Sequence, residues 1–405
     1  MKLLFITDNF PPEVNAPATR TYEHCREWVR QGADVTVITT QPNFPRGEIY
    51  SGYKNRLIQK EQMEGIQVIR LFSYITSNSG VFRRSIDYFS LAIASSIYGL
   101  SLKFDVVIAT SPQFFTTWAA RFLSFWKRKP WVFELRDLWP ESILAVGAIQ
   151  NRQIIDALHK VEMSLYRSAD LIIPNTPAFK EHLISRGIPD KKIHIIANGT
   201  NVDQFYPRDK SLKLIEKLGL SDKFVIGYIG THGLAHSLPF IVDSLDQITD
   251  LEIHFLFIGD GAEKEKVVQI AKEKNLSNVT FLDSISKELV PDYLSIVDCS
   301  LVSLKKRDTF KKVIPSKIFE SCAMGNPILL GVEGLAKEII NGYNVGICFE
   351  PENRESFINA VQMMKQNPIA FKTYQENTKT LTQDFDRKLL ADEMLTKIGK
   401  LLPQK

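Results

Sequence analysis

An α/β fold built on two doubly wound, largely parallel sheets is what this sequence predicts, from three observations. Apolar runs of strand length alternate with stretches of helical periodicity. That alternation occurs in two series, separated by the turn-rich segment IIANGTNVDQFYP at 195–207. The chain has 405 residues with 44% hydrophobic content, sufficient for two ordinary domains. Residues 1–203 are assigned to a first Rossmann-like domain and 204–383 to a second, with no repeat period visible. The tail, 384–405, reads as one or two amphipathic helices that pack back on the first domain.

The elements follow in order. MKLLFIT is a strand, TRTYEHCREWVRQG a helix with Tyr22, Cys25, Trp28 and Val29 on one face, and ADVTVITT the next strand. The rhythm recurs with DVVIAT (105–110), PWVFEL (130–135) and ADLIIPN (169–175). After Pro207 come KFVIGYIG, EIHFLFIGDG, VTFLDS, CSLVSL and PILLGV. Ahead of the last strand, PSKIFESCAMGN reads as a short helix. Pro315 and Ser316 suit its start, Gly325 a left-handed cap, and Pro327 cannot continue it. Neither series opens with Gly-x-Gly-x-x-Gly, so a simple dinucleotide-binding reading loses its main support.

Charge and cysteine content exclude several classes. A net charge of +4 is too small for a nucleic-acid binder. It is unevenly spread: residues 1–205 hold 24 Lys/Arg against 19 Asp/Glu, and the remainder 26 against 27. Cys25, Cys299, Cys322 and Cys348 have no metal-ligand spacing and are too few for a disulfide framework, so a reducing cytoplasm fits best. The start of the chain reaches Asp8 before a signal-peptide core could form. The longest uncharged run, Phe224 to Val242, holds THGLAH in its middle and reads as strand, turn and helix, so no transmembrane helix is expected.

Ligands of open α/β sheets sit outside the carboxyl ends of strands, so the loops there carry the candidates. Thr231-His232-Gly233-Leu234-Ala235-His236-Ser237 follows KFVIGYIG; its glycine permits close backbone approach and its histidines can donate to phosphate, or it is a plain turn. The charges of GDGAEKEK (259–266) read as a solvated helix face. EGLAKEI (333–339) follows PILLGV, and its Gly334, Leu335 and Ala336 amides suit an anion or a sugar hydroxyl; an ordinary glycine turn fits too. In ELRDLWPES (134–142), Arg136, Asp137 and Trp139 meet at a strand end, to hold the loop or to act on a ligand. Lys317 and Glu320, three apart near a helix start, form either a surface ion pair or a site for a phosphate beside a sugar diol. Asp384-Phe385-Asp386 matches the Asp-x-Asp pattern of metal-dependent sugar transferases, but no strand precedes it and it reads as a solvated helix start.

Together these motifs carry a resemblance. NGTNVDQFYP resembles the interdomain linker of the family 4 retaining glycosyltransferases with the GT-B fold. FIGDGAEKEKV followed by VTFLDSISKELVPDYLSIVDCSLVSL resembles their second-domain core. FPPEVNAPATR, ELRDLWPES, GTHG and PSKIFESCAMGNPILLGVEG are most similar to the WbuB-like L-fucosamine (FucNAc) transferase subgroup of O-antigen and capsule assembly. The resemblance spans essentially the whole chain. It implies that Glu320, matching the second glutamate of the family's Glu-x7-Glu pattern, binds the nucleotide ribose, and that Lys317 meets the diphosphate. Gly230, Thr231, His232, Gly233 and His236 match the phosphate loop, and Glu333 through Ala336 the donor-sugar side. Asn15 and Ala16 stand in for a small glycine loop near the donor. Arg136 falls where many members place a histidine near the reacting sugar, and Asp137 matches the acid after it. These two and Lys317 are the implied catalytic groups. The first glutamate of the pattern is replaced by Lys312, which puts the donor sugar in doubt.

The implied activity is transfer of a sugar, an N-acetylated deoxy-hexosamine such as L-FucNAc, from a UDP-sugar to a polyprenyl-diphosphate-linked saccharide. Retention of anomeric configuration is implied, with no metal or other cofactor. Acceptor and membrane contacts are assigned to Arg20, Arg83, Arg84 and Trp139. Cations interleaved with aromatics across 80–130, as in VFRRSIDYF and RFLSFWKRKPW, suit an anionic inner-membrane surface, so the expected location is cytoplasmic and peripheral to that membrane. Two rivals share the fold. A UDP-N-acetylglucosamine 2-epimerase needs further acid/base carboxylates, and the sequence offers only Asp137 and Glu141. A non-catalytic subunit would lack the donor residues.

Overall fold

The computed structural model describes residues 1–44, 47–76, 81–111, 114–138, 140 and 151–403, without the side chains of 81–85 and 114. Trp139 and Glu141 lie outside the described residues, as do the side chains of Arg83 and Arg84. The chain forms two compact units. Unit 1 comprises Met1–Ala197 with Arg387–Lys405, and unit 2 Asn198–Asp386, so the division falls at 197/198 where the sequence suggested 203/204.

Unit 1 holds β1 (Lys2–Ile6), α1 (Ala16–Arg30), β2 (Asp34–Thr39), β3 (Ile58–Met63), β4 (Ile66–Leu71), α2 (Val81–Gly99) and β5 (Val106–Thr110). It continues with α3 (Phe114–Lys127), β6 (Trp131–Leu135), α4 (Arg152–Ser168), β7 (Leu171–Pro174) and α5 (Pro177–Ser185). The sheet order is β3-β4-β2-β1-β5-β6-β7, parallel except for the β3–β4 hairpin. That hairpin turns on Glu64 and Gly65, both at positive φ, the geometry of a two-residue turn matched to strand twist. Strands β5, β6 and β7 are buried at every position, as strands covered by helices on both faces must be.

Unit 2 holds α6 (Leu212–Leu218), β8 (Phe224–Ile229), α7 (Leu238–Ser244), β9 (Ile253–Ile258), α8 (Lys264–Glu273), β10 (Val279–Leu282), α9 (Val290–Ser295) and β11 (Cys299–Ser303). Then come α10 (Lys317–Ala323), β12 (Ile328–Gly331), α11 (Leu335–Tyr343), β13 (Gly346–Cys348), α12 (Arg354–Gln366) and α13 (Pro368–Asp384). The all-parallel order β10-β9-β8-β11-β12-β13 puts β8 and β11 at the centre, so their following loops share one edge. The last helix, α14 (Arg387–Gly399), returns to unit 1, where the Trp28 indole N–H donates to the Ala391 carbonyl at 2.8 Å. Asp384 closes α13 instead of starting a helix: Tyr343 donates to its carboxylate at 2.6 Å, and Phe385 packs on Phe319 at 4.6 Å between ring centroids. Among the described residues no helix is long and apolar enough to cross a membrane.

Candidate functional site

In unit 2 two glycine loops are stacked backbone to backbone beyond β8 and β9. A side chain at Gly259 would meet the Gly230 carbonyl oxygen at 1.9 Å, and one at Gly261 the His232 carbonyl oxygen at 2.7 Å. The contact is sealed by His232 N–H donating to the Asp260 carbonyl and Glu263 N–H to the His232 carbonyl, both at 2.8 Å. Gly230 is bare for a second reason. A β-carbon there would stand 2.6 Å from Cε and 2.8 Å from Nζ of Lys317. The loop is thus shaped around the lysine of the next motif.

Lys317 is the most unusual group of unit 2. Its ammonium nitrogen is buried with no hydrogen-bond partner, 3.6 Å from the centroid of the Tyr228 ring. Burial pushes its pKa down to about 7, against a smaller upward pull from Glu320. Tyr228 is held in place by donating its hydroxyl proton to the Thr231 carbonyl at 2.7 Å. The surface ion pair of Lys317 with Glu320 does not form. Glu320 pairs instead with Lys287 at 3.4 Å, leaving the Lys317 ammonium with no hydrogen-bonded counter-charge among the described residues.

Other sequence-predicted residues fall into place less directly. Ser316 makes no side-chain cap, and seven-residue α10 spans only about two turns, so its dipole is minor and the local positive charge rests on Lys317. His232 is fully buried with both ring nitrogens unpartnered; burial, Lys264 and Lys317 lower its pKa to about 4. His236 is lowered to about 4 by burial and Lys317, and its Nδ1 lies 3.4 Å from the Gly233 carbonyl. Both rings are therefore neutral at pH 7, and His232 is enclosed rather than presented to a ligand. Glu333 pairs with Lys337 at 3.1 Å. Gly334 is at φ +75°, where a β-carbon would strike the Lys311 carbonyl oxygen at 2.2 Å. Leu335 opens α11, and the Ala336 side chain is core, leaving only its amide for a ligand. Lys312 is exposed at the end of a 3₁₀ turn.

Unit 1 contains a buried charge cluster at the carboxyl end of β6. Arg20 from α1 donates through Nε to Glu134 at 2.9 Å and through its terminal nitrogens to the carbonyls of Ala197 and Ile196. At 2% exposure it cannot touch a membrane, which corrects the surface role assigned from sequence. Arg136 follows Glu134 on the same strand end; its Nε and Nη1 are buried and find no hydrogen-bond partner among the described residues. Burial lowers its pKa to about 10, Glu134 opposes this, and Arg20 and Arg387 add to the lowering. Arg387 is itself bound to Glu23. Burial raises Glu134, but Arg20 and Arg136 outweigh it and hold the carboxyl below its usual range. His24 is pushed well down by burial and by the same arginines, so it is uncharged.

Three guanidinium groups thus face two carboxylates. Replacing Glu134 by glutamine leaves Arg20 and Arg136 without their shared counter-ion and is expected to cost about 3–5 kcal/mol of stability in a denaturant titration. A loss below about 1 kcal/mol would mean the cluster is hydrated rather than ion-paired.

The Arg136 and Asp137 amides share the Ser111 hydroxyl at 2.8 and 3.2 Å, which fixes the loop. Asn15 is the N-cap of α1, its Oδ1 accepting from the Ala18 amide at 2.9 Å, and exposed Ala16 is the first helical residue. Sequence reading missed Tyr228 and Lys287, which touch Lys317 and Glu320, and the His24, Glu134 and Arg387 members of the cluster. Only Tyr228 left a signal, as a polar-tipped residue within an apolar strand.

Comparison with known proteins bears on the family and the fold. The family model Glycosyl transferase 4-like domain matches residues 15–199, and the model Glycosyl transferases group 1 matches 210–381. An Escherichia coli (strain K12) protein described as a colanic acid biosynthesis glycosyl transferase, WcaI, is 24% identical over 400 residues, spanning 93% of this chain and 96% of its own. Sucrose-phosphate synthase from Thermosynechococcus elongatus matches the fold with TM-score 0.77 at 17% identity, over 99% of this chain and 98% of that one. Anabaena HepE in complex with UDP-glucose does so with TM-score 0.73 at 16% identity, over 99% and 100%. The two parallel α/β units are those of the GT-B fold. With one matching domain model in each unit, the chain belongs to the family 4 glycosyltransferases.

Proposed function

We propose that this glycosyltransferase moves a sugar from a UDP-sugar to a lipid-linked saccharide in bacterial surface polysaccharide assembly, retaining anomeric configuration and using no metal. The observation that carries the donor reading is Lys317, a buried ammonium with no partner and a depressed pKa. A diphosphate supplies the missing counter-charge. As the sugar departs, negative charge grows on the leaving UDP, and a fixed cation in a dry site gains most at that moment. Glu320, steadied by Lys287, accepts hydrogen bonds from the ribose diol.

In unit 1, Arg136, whose Nε and Nη1 have no partner among the described residues, is the group we assign to the reacting sugar's anionic surroundings, and Asp137 is the adjacent acid. The UDP-glucose complex of HepE supports a UDP-sugar donor, and the name of WcaI a polysaccharide product. L-FucNAc is our proposed donor sugar, O-antigen or capsule the pathway, and the cytoplasmic face of the inner membrane the workplace.

A panel of UDP-sugars assayed for UDP release, with and without a polyprenyl-diphosphate-linked saccharide, tests this reading. Release that requires the acceptor supports it. Conversion of UDP-N-acetylglucosamine to its 2-epimer without acceptor would put an epimerase in its place. Glu320→Ala is expected to raise the donor KM about tenfold or more, the scale of one lost charge-assisted hydrogen bond, with the fold intact by circular dichroism. An unchanged KM would remove Glu320 from the site.

A further inference from the structure

The neighbouring helices α2 and α3 present apolar surface that unit 1 leaves uncovered. Ile86, Phe89, Ile93 and Ile97 on α2, and Leu100 just past its end, recur every three or four residues and share one face, while Leu91 and Ser95 on the opposite side are buried. All five are exposed, Ile97 by 68%. On α3, Trp118, Phe122, Phe125 and Trp126 point outward, and Ala119, Ala120 and Leu123 inward. Phe125 is 78% and Trp126 64% exposed. The rings make contact: Phe89 with Trp118 at 5.8 Å, and Trp126 with Phe122 at 6.0 Å and Phe125 at 6.2 Å between centroids. Scattered exposed apolar residues are ordinary, whereas two adjoining helical faces of them mark a docking surface.

The charges around this face are nearly all positive. Between residues 86 and 129 the acids are Asp87 and Asp105, and the cations are Lys103, Arg121, Lys127, Arg128 and Lys129. Lys129 is paired with Asp105 at 4.0 Å, but Lys103, Arg121 and Arg128 stand exposed. Two copies joined through this face would bring like charges together, which disfavours self-association. An apolar face with a cationic rim is complementary to a surface that is hydrocarbon inside and anionic at its edge.

Beside it, between α3 and α4, runs a groove of about 580 Å³, within the range of small-molecule pockets. Its walls are Trp118, Phe122, Phe125 and Val161, and its polar groups are Arg121, Lys160 and Ser164. Arg121 is oriented by donating to the Ser164 hydroxyl at 2.6 Å.

We infer that the α2–α3 face docks on an anionic lipid bilayer and that the α3–α4 groove takes one lipid, its chain along the aromatic wall and its phosphate against Arg121 and Lys160. This rests on the reading of the acceptor as lipid-linked and gives that reading a place in the fold. The chemistry required is a hydrocarbon chain ending in phosphate or diphosphate, which both a phospholipid and a prenyl-diphosphate carrier possess.

Flotation with phosphatidylglycerol/phosphatidylcholine vesicles, against phosphatidylcholine alone, is the test. The full chain should float with the anionic vesicles at about 0.05 M salt and release at about 0.5 M. The paired substitution Phe125→Ser and Trp126→Ser, or Arg121→Ala and Lys160→Ala, should weaken binding by about tenfold or more. UDP binding should be unchanged in both, which separates this surface from the donor site. Chain-brominated lipid should quench tryptophan emission, less so in Trp118→Phe. Monomeric phosphatidylglycerol with short chains and farnesyl diphosphate, competed separately, decide which lipid the groove prefers. Binding of neither overturns the groove. Absence of flotation at low salt, or dimerisation abolished by the Phe125/Trp126 pair in a chain that ignores vesicles, overturns the bilayer. Normal UDP binding by a Lys317 variant that still floats would remove the donor reading and leave this inference standing by itself.

Discussion

Replacing Lys317 by methionine should weaken UDP binding about a hundredfold and, in the same protein, raise the melting temperature of the ligand-free form. The two effects share one cause. The ammonium sits in a dry site over the Tyr228 ring with no partner, so folding pays for its burial before any ligand arrives. Its folded pKa of about 7 lies below the ordinary 10.5, so the folded chain favours the neutral amine. The penalty on stability is therefore full below pH 7, shrinks as pH rises from 7 to 10.5, and is absent above. Methionine keeps the length and fills the space beside Gly230 without the charge, so it stabilises most at pH 6 and least at pH 10.

For the ligand, loss of a preorganised cation against a diphosphate is worth about 3 kcal/mol, or roughly a hundredfold in affinity or rate. Calorimetric titration with UDP and scanning calorimetry of the free protein read the two effects separately. A methionine variant that binds UDP normally would take the diphosphate away from this lysine. One that binds nothing and melts lower would show an ordinary structural lysine.

The second large effect is on the pH dependence of UDP affinity. In the free protein Lys317 loses its proton near pH 7, whereas the diphosphate holds the protonated form and raises that pKa in the complex. Binding above pH 7 must then take up a proton. Affinity should fall about tenfold per pH unit until the raised pKa of the complex is reached. His232 and His236, with pKa values near 4, remain neutral through this window and add no slope of their own. Titrations at pH 7, 8 and 9 in buffers of different ionisation enthalpy measure both affinity and proton uptake. Flat affinity with no proton uptake over that range contradicts the depressed amine.

The parts of this molecule legible in its sequence are those written within one contiguous segment. Strand runs such as KFVIGYIG and PILLGV, bounded by glycine and proline, defined β8 and β12; their following loops pointed to Gly230 and Gly334, and the proline-serine helix start ahead of PILLGV pointed to Lys317. Pairings between distant segments left no such mark. Nothing near Glu320 announces Lys287, and nothing near Glu23 announces Arg387. The same limit misplaced Arg20. From the sequence it is assigned to acceptor or membrane contact, and only the fold brings Glu134 and the carbonyls of Ile196 and Ala197 around it. The β3–β4 hairpin also escaped notice, because IQKEQM is polar and largely solvated and lacks the apolar alternation that marks a strand.

The return of α14 to unit 1 has a consequence for synthesis. Trp28 and Glu23, near the amino terminus, find their partners Ala391 and Arg387 only in the last residues to be translated. While the chain is still on the ribosome, α1 keeps a tryptophan and a carboxylate without their shelter, although the whole of unit 2 has already emerged. A fragment cut after residue 197 inherits that deficit permanently, whereas one spanning 198–386 carries every strand of its own sheet. The later-made lobe is the one equipped to mature first.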